Sequence, residues 1–191
     1  MSRFLSDTPS SVGRPEADGG APAIVPDAAE PFRAAMRELT TAVCVVTAGR
    51  GRERCGLTAS SVTSLSLEPA SLMVCIRKES RTLERILDDD AFAVNILAAE
   101  QRAIAAEFAA GGPGAGAERF RDSGWTDGHS GVPVLSGSLA AIECRVGQAT
   151  PWHTHVVIVG FVTAVRLHGP GDPLLYWRGA YRQLGAPRRD R

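Results

Sequence analysis

The sequence predicts a mainly β protein, a small antiparallel β-barrel with a few short helices over its ends. Roughly six or seven segments have the length and composition of strands, whereas two or three have the spacing of helices. The helices do not alternate regularly with the strands, so parallel β-α-β units are not indicated. Because strands this close along a chain usually pair with each other, we expect the sheet to be antiparallel.

The bulk composition indicates one folded domain without a nucleic-acid or membrane role. The chain has 191 residues, enough to bury a core, and its formal net charge is zero. A neutral chain offers no basic field for nucleic acid. It has no apolar run long enough to cross a membrane, and its N-terminus lacks the apolar stretch of a signal peptide. We therefore expect a cytoplasmic protein.

The two ends of the chain are expected to be tails. Residues 1–29 contain four prolines together with several Gly, Ser and Asp residues. Such a segment buries too little apolar surface to offset the entropy lost on ordering, so we expect it to be disordered. The folded domain is then expected over residues 30–184, followed by a C-terminal tail at 185–191.

Hydrophobic spacing and turn residues predict the elements inside this domain. From about residue 28, Phe32, Met36 and Leu39 fall on one face of a short helix. The predicted strands cover residues 41–48, 55–69, 72–76, 91–97, 139–147 and 155–168, and a short aromatic and basic segment follows at 173–184. Gly160 interrupts the last long strand, which indicates a bulge or a bend.

Two further helices are predicted between the strands. Ser80 is a suitable N-cap for a helix with Leu83, Ile86 and Leu87 on one face. A second helix is predicted over residues 99–109. The glycine-rich run that follows, at residues 111–116, does not match G-x-G-x-x-G and is interpreted as a flexible loop.

The cysteines are expected to be reduced residues of the core. They are scattered without a C-x-x-C pair, and each lies in an apolar or strand-like run: Cys44, Cys55, Cys75 and Cys144. This distribution favours neither a zinc site nor disulfides.

The most informative stretch is the polar strand at residues 55–69, which reads C-G-L-T-A-S-S-V-T-S-L-S-L-E-P. Seven of its fifteen residues are Cys, Thr or Ser. Hydroxyl groups can be buried without a large cost only when they find a hydrogen-bond partner. The stretch is therefore either a solvated edge strand or a row of hydroxyls and amides that faces a flat polar ligand.

Two more features have both a structural and a functional interpretation. The helix start at Ser80 and Arg81 offers free amides, a hydroxyl and a cation, which suit a phosphate group, but an ordinary capped helix has the same pattern. Asn95 interrupts an apolar strand. Because a buried amide must satisfy both of its ends, Asn95 either ties a loop or meets a ligand.

The sequence disfavours a metal site and a hydrolase site. His153 and His155 are two residues apart and would face the same side of a strand, but no carboxylate or Cys at suitable spacing completes a metal site. Ser60 and Ser61 lie outside any G-x-S-x-G pattern, and no acid–His pairing is suggested.

Four segments, in this order, resemble the flavin reductase family, whose fold is the FMN-binding split barrel. They read T-A-V-C-V-V-T at 41–47, G-L-T-A-S-S-V-T-S-L-S-L-E-P at 56–69, F-A-V-N-I-L with Q-R within 92–102, and P-L-L-Y-W-R-G-A-Y-R-Q-L at 173–184. The likeness covers about residues 30–184, and the hydroxyl-rich block is its most specific part. The resemblance implies a mainly β, antiparallel split barrel with a few short helices.

One position departs from the family pattern. The family often has Gly-Asp-His before its long strand, with the His five residues ahead of a Gly. Here His155 stands five residues before Gly160, whereas His153 and Thr154 replace the Gly and the Asp. This departure concerns the contact with the nicotinamide and not the fold.

The resemblance also implies a site. It implies a homodimer that binds flavin in a groove between the barrels, with the flavin edge along Thr58, Ala59, Ser60, Ser61 and Asn95. The flavin phosphate would be held by Ser80, Arg81, Thr82 and Arg102. The nicotinamide side would be closed by Tyr176, Arg178 and Tyr181 and by the predicted catalytic residue His155, which would add positive charge or a hydrogen bond near the nicotinamide amide. No metal is expected.

The resemblance implies an NAD(P)H:flavin oxidoreductase. Such an enzyme transfers a hydride from NADH, or from NADPH, to FAD or FMN, and supplies the free reduced flavin to a partner monooxygenase. In the hydride step the cofactors supply the chemistry, and the protein stacks and orients them. The alternatives are a flavin-binding split barrel without enzymatic activity and an oxidase that retains its flavin, related to the pyridoxamine-phosphate oxidases.

Overall fold

The computed structural model describes residues 28–110, 116–121 and 124–185, and the chain divides into two compact units, Met1–Met36 and Arg37–Arg191. In the first unit, the predicted helix is present as α1 (Ala29–Met36), and Phe32 on it is exposed. Most of the segment 1–29 that was predicted to be disordered, most of the loop at 111–116 and most of the tail at 185–191 lie outside the described residues.

In the second unit, the described residues form twelve strands and two α-helices. The strands are β1 (Thr41–Ala42), β2 (Cys44–Ala48), β3 (Cys55–Ala59), β4 (Val62–Leu67), β5 (Ala70–Arg77), β6 (Ala91–Ile96), β7 (Trp125–Asp127), β8 (Pro133–Leu135), β9 (Ala140–Trp152), β10 (His155–Leu167), β11 (Leu175–Trp177) and β12 (Ala180–Arg182). The helices are α2 (Arg81–Asp89) and α3 (Arg102–Ala109). In the described part of the chain, no helix is long and apolar enough to cross a membrane.

The main sheet has seven strands in the order β3-β2-β6-β9-β10-β5-β4, and its neighbours are antiparallel. Strands β3 and β4 are therefore at opposite edges of the sheet, yet only Ser60 and Ser61 separate them in the chain. Since a short stretch of chain reaches only about 10 Å, the two edges must lie close together. The sheet thus curls into a barrel, and the predicted mainly β split-barrel fold is confirmed.

The prediction of one continuous strand over residues 55–69 is wrong. At Ser60 and Ser61 the chain leaves one edge of the sheet and joins the other, where Cys75 N–H donates to Ser61 O at 3.3 Å. The strand predicted at 41–48 is also divided. Val43 separates β1 from β2, and its N–H donates to Leu174 O. Strand β1 pairs with β11 in a separate three-stranded sheet, in the order β1-β11-β12.

Apolar side chains from alternate positions of the strands fill the barrel, and α2 covers it with Leu83 and Ile86. Phe92 is fully buried in this core, and a Cβ atom at Gly160 would lie 2.5 Å from its ring. Glycine at position 160 therefore makes room for Phe92. The register of β9 and β10 shifts at this same point, as expected for a bulge.

Helix α3 packs beside β3 over a second apolar cluster. Phe108 of α3 lies 5.1 Å from Phe120 and 5.3 Å from Trp125, measured between ring centroids. A Cβ atom at Gly56 would lie 2.9 Å from the Phe108 ring, so the helix can approach the strand only because residue 56 is glycine. The sequence did not predict the β7–β8 hairpin that carries Trp125.

The four cysteines are free, and three of them are core residues as predicted. Burial raises the pKa of Cys44 and of Cys144 to about 12, so both remain protonated thiols at neutral pH. Cys75 differs because it is only half-buried and faces outward from β5.

Candidate functional site

A groove of about 820 Å³ opens at the corner where the chain passes from β3 to β4. Its walls come from five parts of the chain: Leu57, Thr58, Ala59, Ser60 and Ser61 at the corner; Cys75, Ile76 and Arg77 of β5; Glu79 and Ser80 before α2; Phe108 and Ala109 of α3; and Thr154 and His155 at the start of β10. The volume is in the range of ordinary ligand pockets. The groove thus combines a polar wall with apolar surfaces.

The polar wall is the predicted block Thr58, Ala59, Ser60 and Ser61. Two of its hydroxyls already have protein partners, since Thr58 Oγ1 donates to Ala105 O at 2.7 Å and Ser61 Oγ donates to Cys75 O at 2.8 Å. Each oxygen retains lone pairs that can accept a hydrogen bond from a ligand. The structure therefore brings this predicted block to one cavity, with the side chains of Thr58 and Ser61 held by hydrogen bonds.

The opposite wall carries Arg77 and His155. These residues are directly opposite each other on β5 and β10, so their side chains lie on the same face of the sheet. His155 Nδ1 lies 2.9 Å from Thr154 Oγ1, and both residues line the groove. The sequence indicated His155 but not Arg77, because the register of β5 against β10 has no local signal.

A second cavity of about 510 Å³ shares Glu79 and Ser80 with the groove and continues along the first turn of α2. Lys78 and Arg81 also line it. Ser80 Oγ accepts a hydrogen bond from Thr82 N–H at 3.2 Å, so Ser80 is the N-cap of α2 as predicted. Its cap role and its place in the groove are compatible, and the helix N-terminus adds positive potential there.

The structure places two predicted ligand residues inside the protein. Asn95 is fully buried: its Nδ2 donates to Val45 O and Thr47 Oγ1, and its Oδ1 accepts from Leu135 N–H at 2.8 Å. The prediction that Asn95 lines the flavin edge is therefore corrected, since Asn95 ties strand β8 of the β7–β8 hairpin to the main sheet. Thr82 is also buried and does not line either cavity.

Four other predicted residues lie together, but outside the groove lining of their own chain. Arg178 forms an ion pair with Glu38 at 2.7 Å and stacks on Trp177 at 4.6 Å. The rings of Tyr176 and Tyr181 are 5.6 Å apart, and the Arg102 guanidinium lies 5.7 Å from the Tyr181 ring. The structure therefore does not bring Arg102, Tyr176, Arg178 and Tyr181 to the groove lining, and their contacts with the cofactors stay a prediction.

Several lining residues were not indicated by the sequence, chiefly Leu57, Ile76, Phe108 and Ala109. Phe108 has helical apolar spacing and is buried, which made it indistinguishable from an ordinary core residue. Among the described residues, no group of three or more His, Cys, Asp or Glu side chains is arranged to hold a metal ion.

The two edges of the antiparallel sheet meet at a hydroxyl-lined groove, and a helix N-terminus lies at the end of that groove. This arrangement defines a mainly β split-barrel protein. Comparison with known families identifies which one: the flavin reductase like domain matches residues 36–185. The chain therefore belongs to the flavin reductase family, as its motifs predicted, and is an oxidoreductase.

Individual relatives show the extent of the similarity. The chain is 34% identical over 168 residues to the FMN reductase (NADH) RutF of Variovorax paradoxus, covering 88% of this chain and 91% of that protein. It is 33% identical over 158 residues to the reductase component of 4-hydroxyphenylacetate 3-monooxygenase of Pseudomonas aeruginosa, covering 83% and 93%.

Among solved structures, the NADH:FAD oxidoreductase SgcE6 of Streptomyces globisporus C-1027, in complex with NAD and FAD fragments, superposes with a TM-score of 0.78. The two sequences are 30% identical, and the match covers 89% of this chain and all of that one (100%).

Proposed function

We propose that this chain is an NADH-dependent flavin reductase that transfers a hydride to FAD or FMN and releases the reduced flavin to a separate monooxygenase. The observation that carries the proposal is the groove that begins at the Ser60–Ser61 corner and continues to the N-terminus of α2. The names of the relatives from Variovorax and Pseudomonas support the choice of NADH and of a monooxygenase partner. NADPH is the alternative donor.

The residues in the groove fit a flavin. A flavin ring has two apolar faces and a polar edge, and the groove offers Leu57 and Ala109 beside the hydroxyls of Ser60 and Ser61. The shared cavity at Ser80 leads to Lys78 and Arg81, where a phosphate would find two cations and a helix N-terminus. Arg81 is half exposed and only loosely paired with Glu53, at 3.4 Å, so it remains available to an anion.

The chain itself supplies position and electrostatics. When bound, the flavin supplies the hydride acceptor and the nicotinamide supplies the hydride. Ser60 and Ser61 lie where they can hydrogen-bond to a polar ring edge, and such groups favour the negative charge that develops there during reduction. Arg77 and His155 offer a guanidinium and an imidazole on the other wall, which suit the phosphates and the carboxamide of a nicotinamide dinucleotide.

We propose that the enzyme is a homodimer. The outward-facing residues of β5 and β10 continue from the groove as an apolar row, with Cys75 opposite Val157 and Met73 opposite Val159. These four side chains are half-buried in a single chain, and we call them the outer strand face. An apolar surface beside a ligand groove is typical of a subunit contact. A contact here would place the groove at the boundary between two barrels.

The assay that tests the proposal is NADH oxidation with and without added flavin. We expect the purified protein to consume NADH only when FMN or FAD is present, with reduced flavin accumulating under anaerobic conditions. Flavin binding without any loss of NADH or NADPH absorbance would instead show a non-enzymatic flavin carrier. Flavin retained after extensive dialysis, with turnover independent of added flavin, would indicate an oxidase.

A pair of variants tests the position of the site. Ser61→Trp places a large side chain in the groove, and Ser61 is exposed, so we expect the fold to persist while flavin affinity falls at least 100-fold. The matched control is Thr126→Trp, at an exposed position of β7. Unchanged flavin affinity in Ser61→Trp would place the flavin elsewhere.

A further inference from the structure

A row of three side chains crosses the barrel at one end of the groove. Trp152 on β9 is directly opposite His155 on β10, and His155 is directly opposite Arg77 on β5. Directly opposite residues in an antiparallel sheet project to the same face with Cβ atoms about 5 Å apart. An indole, an imidazole and a guanidinium therefore lie side by side on one surface.

The hairpin that joins β9 to β10 holds Trp152 in place although its side chain is exposed. Trp152 is 67% exposed, and the His153 ring packs edge-on against it with 5.4 Å between centroids. His153 has a left-handed backbone, with φ of 45°, as a tight two-residue turn requires. Thr154 O accepts a hydrogen bond from Lys78 N–H at 3.1 Å, which fixes the turn to the segment between β5 and α2.

The position of Trp152 extends the groove by one strand. Arg77, Thr154 and His155 line the groove, and Trp152 is the next side chain on the same face. An exposed indole face stacks on a base, whatever the identity of the base, while a nearby guanidinium binds its phosphate.

We propose that Trp152, together with Arg77, forms a subsite for the adenine nucleotide half of a dinucleotide bound in the groove. This inference rests on the proposed flavin reductase function. Two ligands contain the same chemical group, since NADH and FAD each have an adenosine phosphate at one end, whereas reduced nicotinamide mononucleotide and FMN do not. The subsite stacks the adenine on the indole and leaves the reacting ring at the hydroxyl-lined corner.

The test compares ligands with and without the adenine half in Trp152→Ala, Trp152→Leu and Trp152→Phe. We expect Trp152→Ala and Trp152→Leu to raise the KM for the dinucleotide about tenfold while leaving the KM of the corresponding mononucleotide unchanged. Trp152→Phe should restore most of the affinity, because it keeps an aromatic face. If the KM changes differ between NADH and reduced nicotinamide mononucleotide, the adenine at the subsite is that of NADH. If they differ between FAD and FMN, it is that of FAD.

The control is Leu167→Ala, which removes an exposed apolar side chain at the far end of β10. Three results for Trp152→Ala would overturn the inference. The KM could change equally for dinucleotides and mononucleotides, it could change for no ligand, or the molar mass in solution could change. The last result would make Trp152 a subunit contact. Turnover by the unmodified enzyme with reduced nicotinamide mononucleotide and FMN tests the proposed function separately, because neither ligand needs the subsite.

Discussion

At the scale of single residues, the buried amide of Asn95 is fully used by the protein, whereas the hydroxyl of Ser61 at the corner keeps a free acceptor. Asn95 joins β6 to the backbone of Val45 and of Leu135 with both ends of its amide. Ser61 uses its hydroxyl proton for Cys75 O but is exposed on its other side. Exposure, and not residue type, therefore distinguishes a ligand contact from a structural bond.

Asn95→Leu should destabilise the fold without changing flavin affinity. The substitution leaves Leu135 N–H and Val45 O buried without their partners, so we expect the free energy of unfolding to fall by about 3 kcal/mol. Urea unfolding and flavin titration measure the two effects. Gln148→Leu, which removes an exposed amide on β9, serves as the control and should change stability by less than about 0.5 kcal/mol. Loss of flavin affinity at full stability would return Asn95 to the binding site.

The sequence could indicate site residues only where chemistry and local pattern coincide. Ser60 and Ser61 lie in an unusually polar segment, and Ser80 precedes apolar residues with helical spacing. The environments of these three serines could therefore be predicted from the sequence. Arg77 carried no such signal, because its place in the groove depends on the pairing of β5 with β10, eighty residues away in the chain. Asn95 misled the prediction since a buried amide has the same sequence pattern whether a loop or a ligand satisfies it.

At the scale of elements, the first turn of α2 connects the groove to the second cavity. Ser80 caps the helix and lines both cavities, while Arg81 follows it at the exposed start of the helix. Thr82 turns inward and is buried, and burial raises the pKa of the nearby Cys55 thiol. One side of the turn is therefore structural and the other is open to a ligand.

Two substitutions of Ser80 separate these roles. Ser80→Ala removes the cap and should lower the free energy of unfolding by about 1 kcal/mol. Ser80→Asp keeps a capping oxygen and should preserve stability, but its negative charge should weaken FMN binding about tenfold by repelling the phosphate. Riboflavin lacks the phosphate and should bind Ser80→Asp as it binds the unmodified protein. Equal affinity of Ser80→Asp and unmodified protein for FMN would show that the phosphate lies elsewhere.

Most strands and helices could be predicted from the sequence, but the points at which a predicted strand is split into two could not. The spacing of apolar residues identified the strands that became β5, β6 and β10, because a strand inside a barrel has a strong local pattern. The break at Ser60–Ser61 has no such pattern: residues on both sides favour strands, and only closure of the sheet forces the chain to change edges. The short β7–β8 hairpin was missed because its composition resembles a loop.

At the scale of the whole molecule, the closure of the barrel and the proposed dimer depend on the same two strands. Inward residues of β5 and β10, such as Val74 and Ile158, form the core, and the alternate residues form the outer strand face. Because this face continues into Arg77 and His155, a second barrel packed against it would also cover the groove. In the proposed dimer, closure, subunit contact and ligand binding would thereby be coupled through one pair of strands.

Val159→Lys tests this coupling. Val159 is half-buried and lies opposite Met73 in the middle of the outer strand face, so a lysine there leaves the core intact but places a charge in the proposed contact. Burying that charge without a partner would cost several kcal/mol, so we expect the dimer dissociation constant to rise at least 100-fold and flavin affinity to fall with it.

Light scattering across a range of protein concentrations measures the dimer, and flavin titration at the same concentrations measures the site. Thr126→Lys, at the exposed position on β7, is the control and should change neither quantity. If Val159→Lys becomes monomeric yet binds flavin as tightly as before, each groove is complete within one chain. A dimer that withstands Val159→Lys would instead place the subunit contact on another surface.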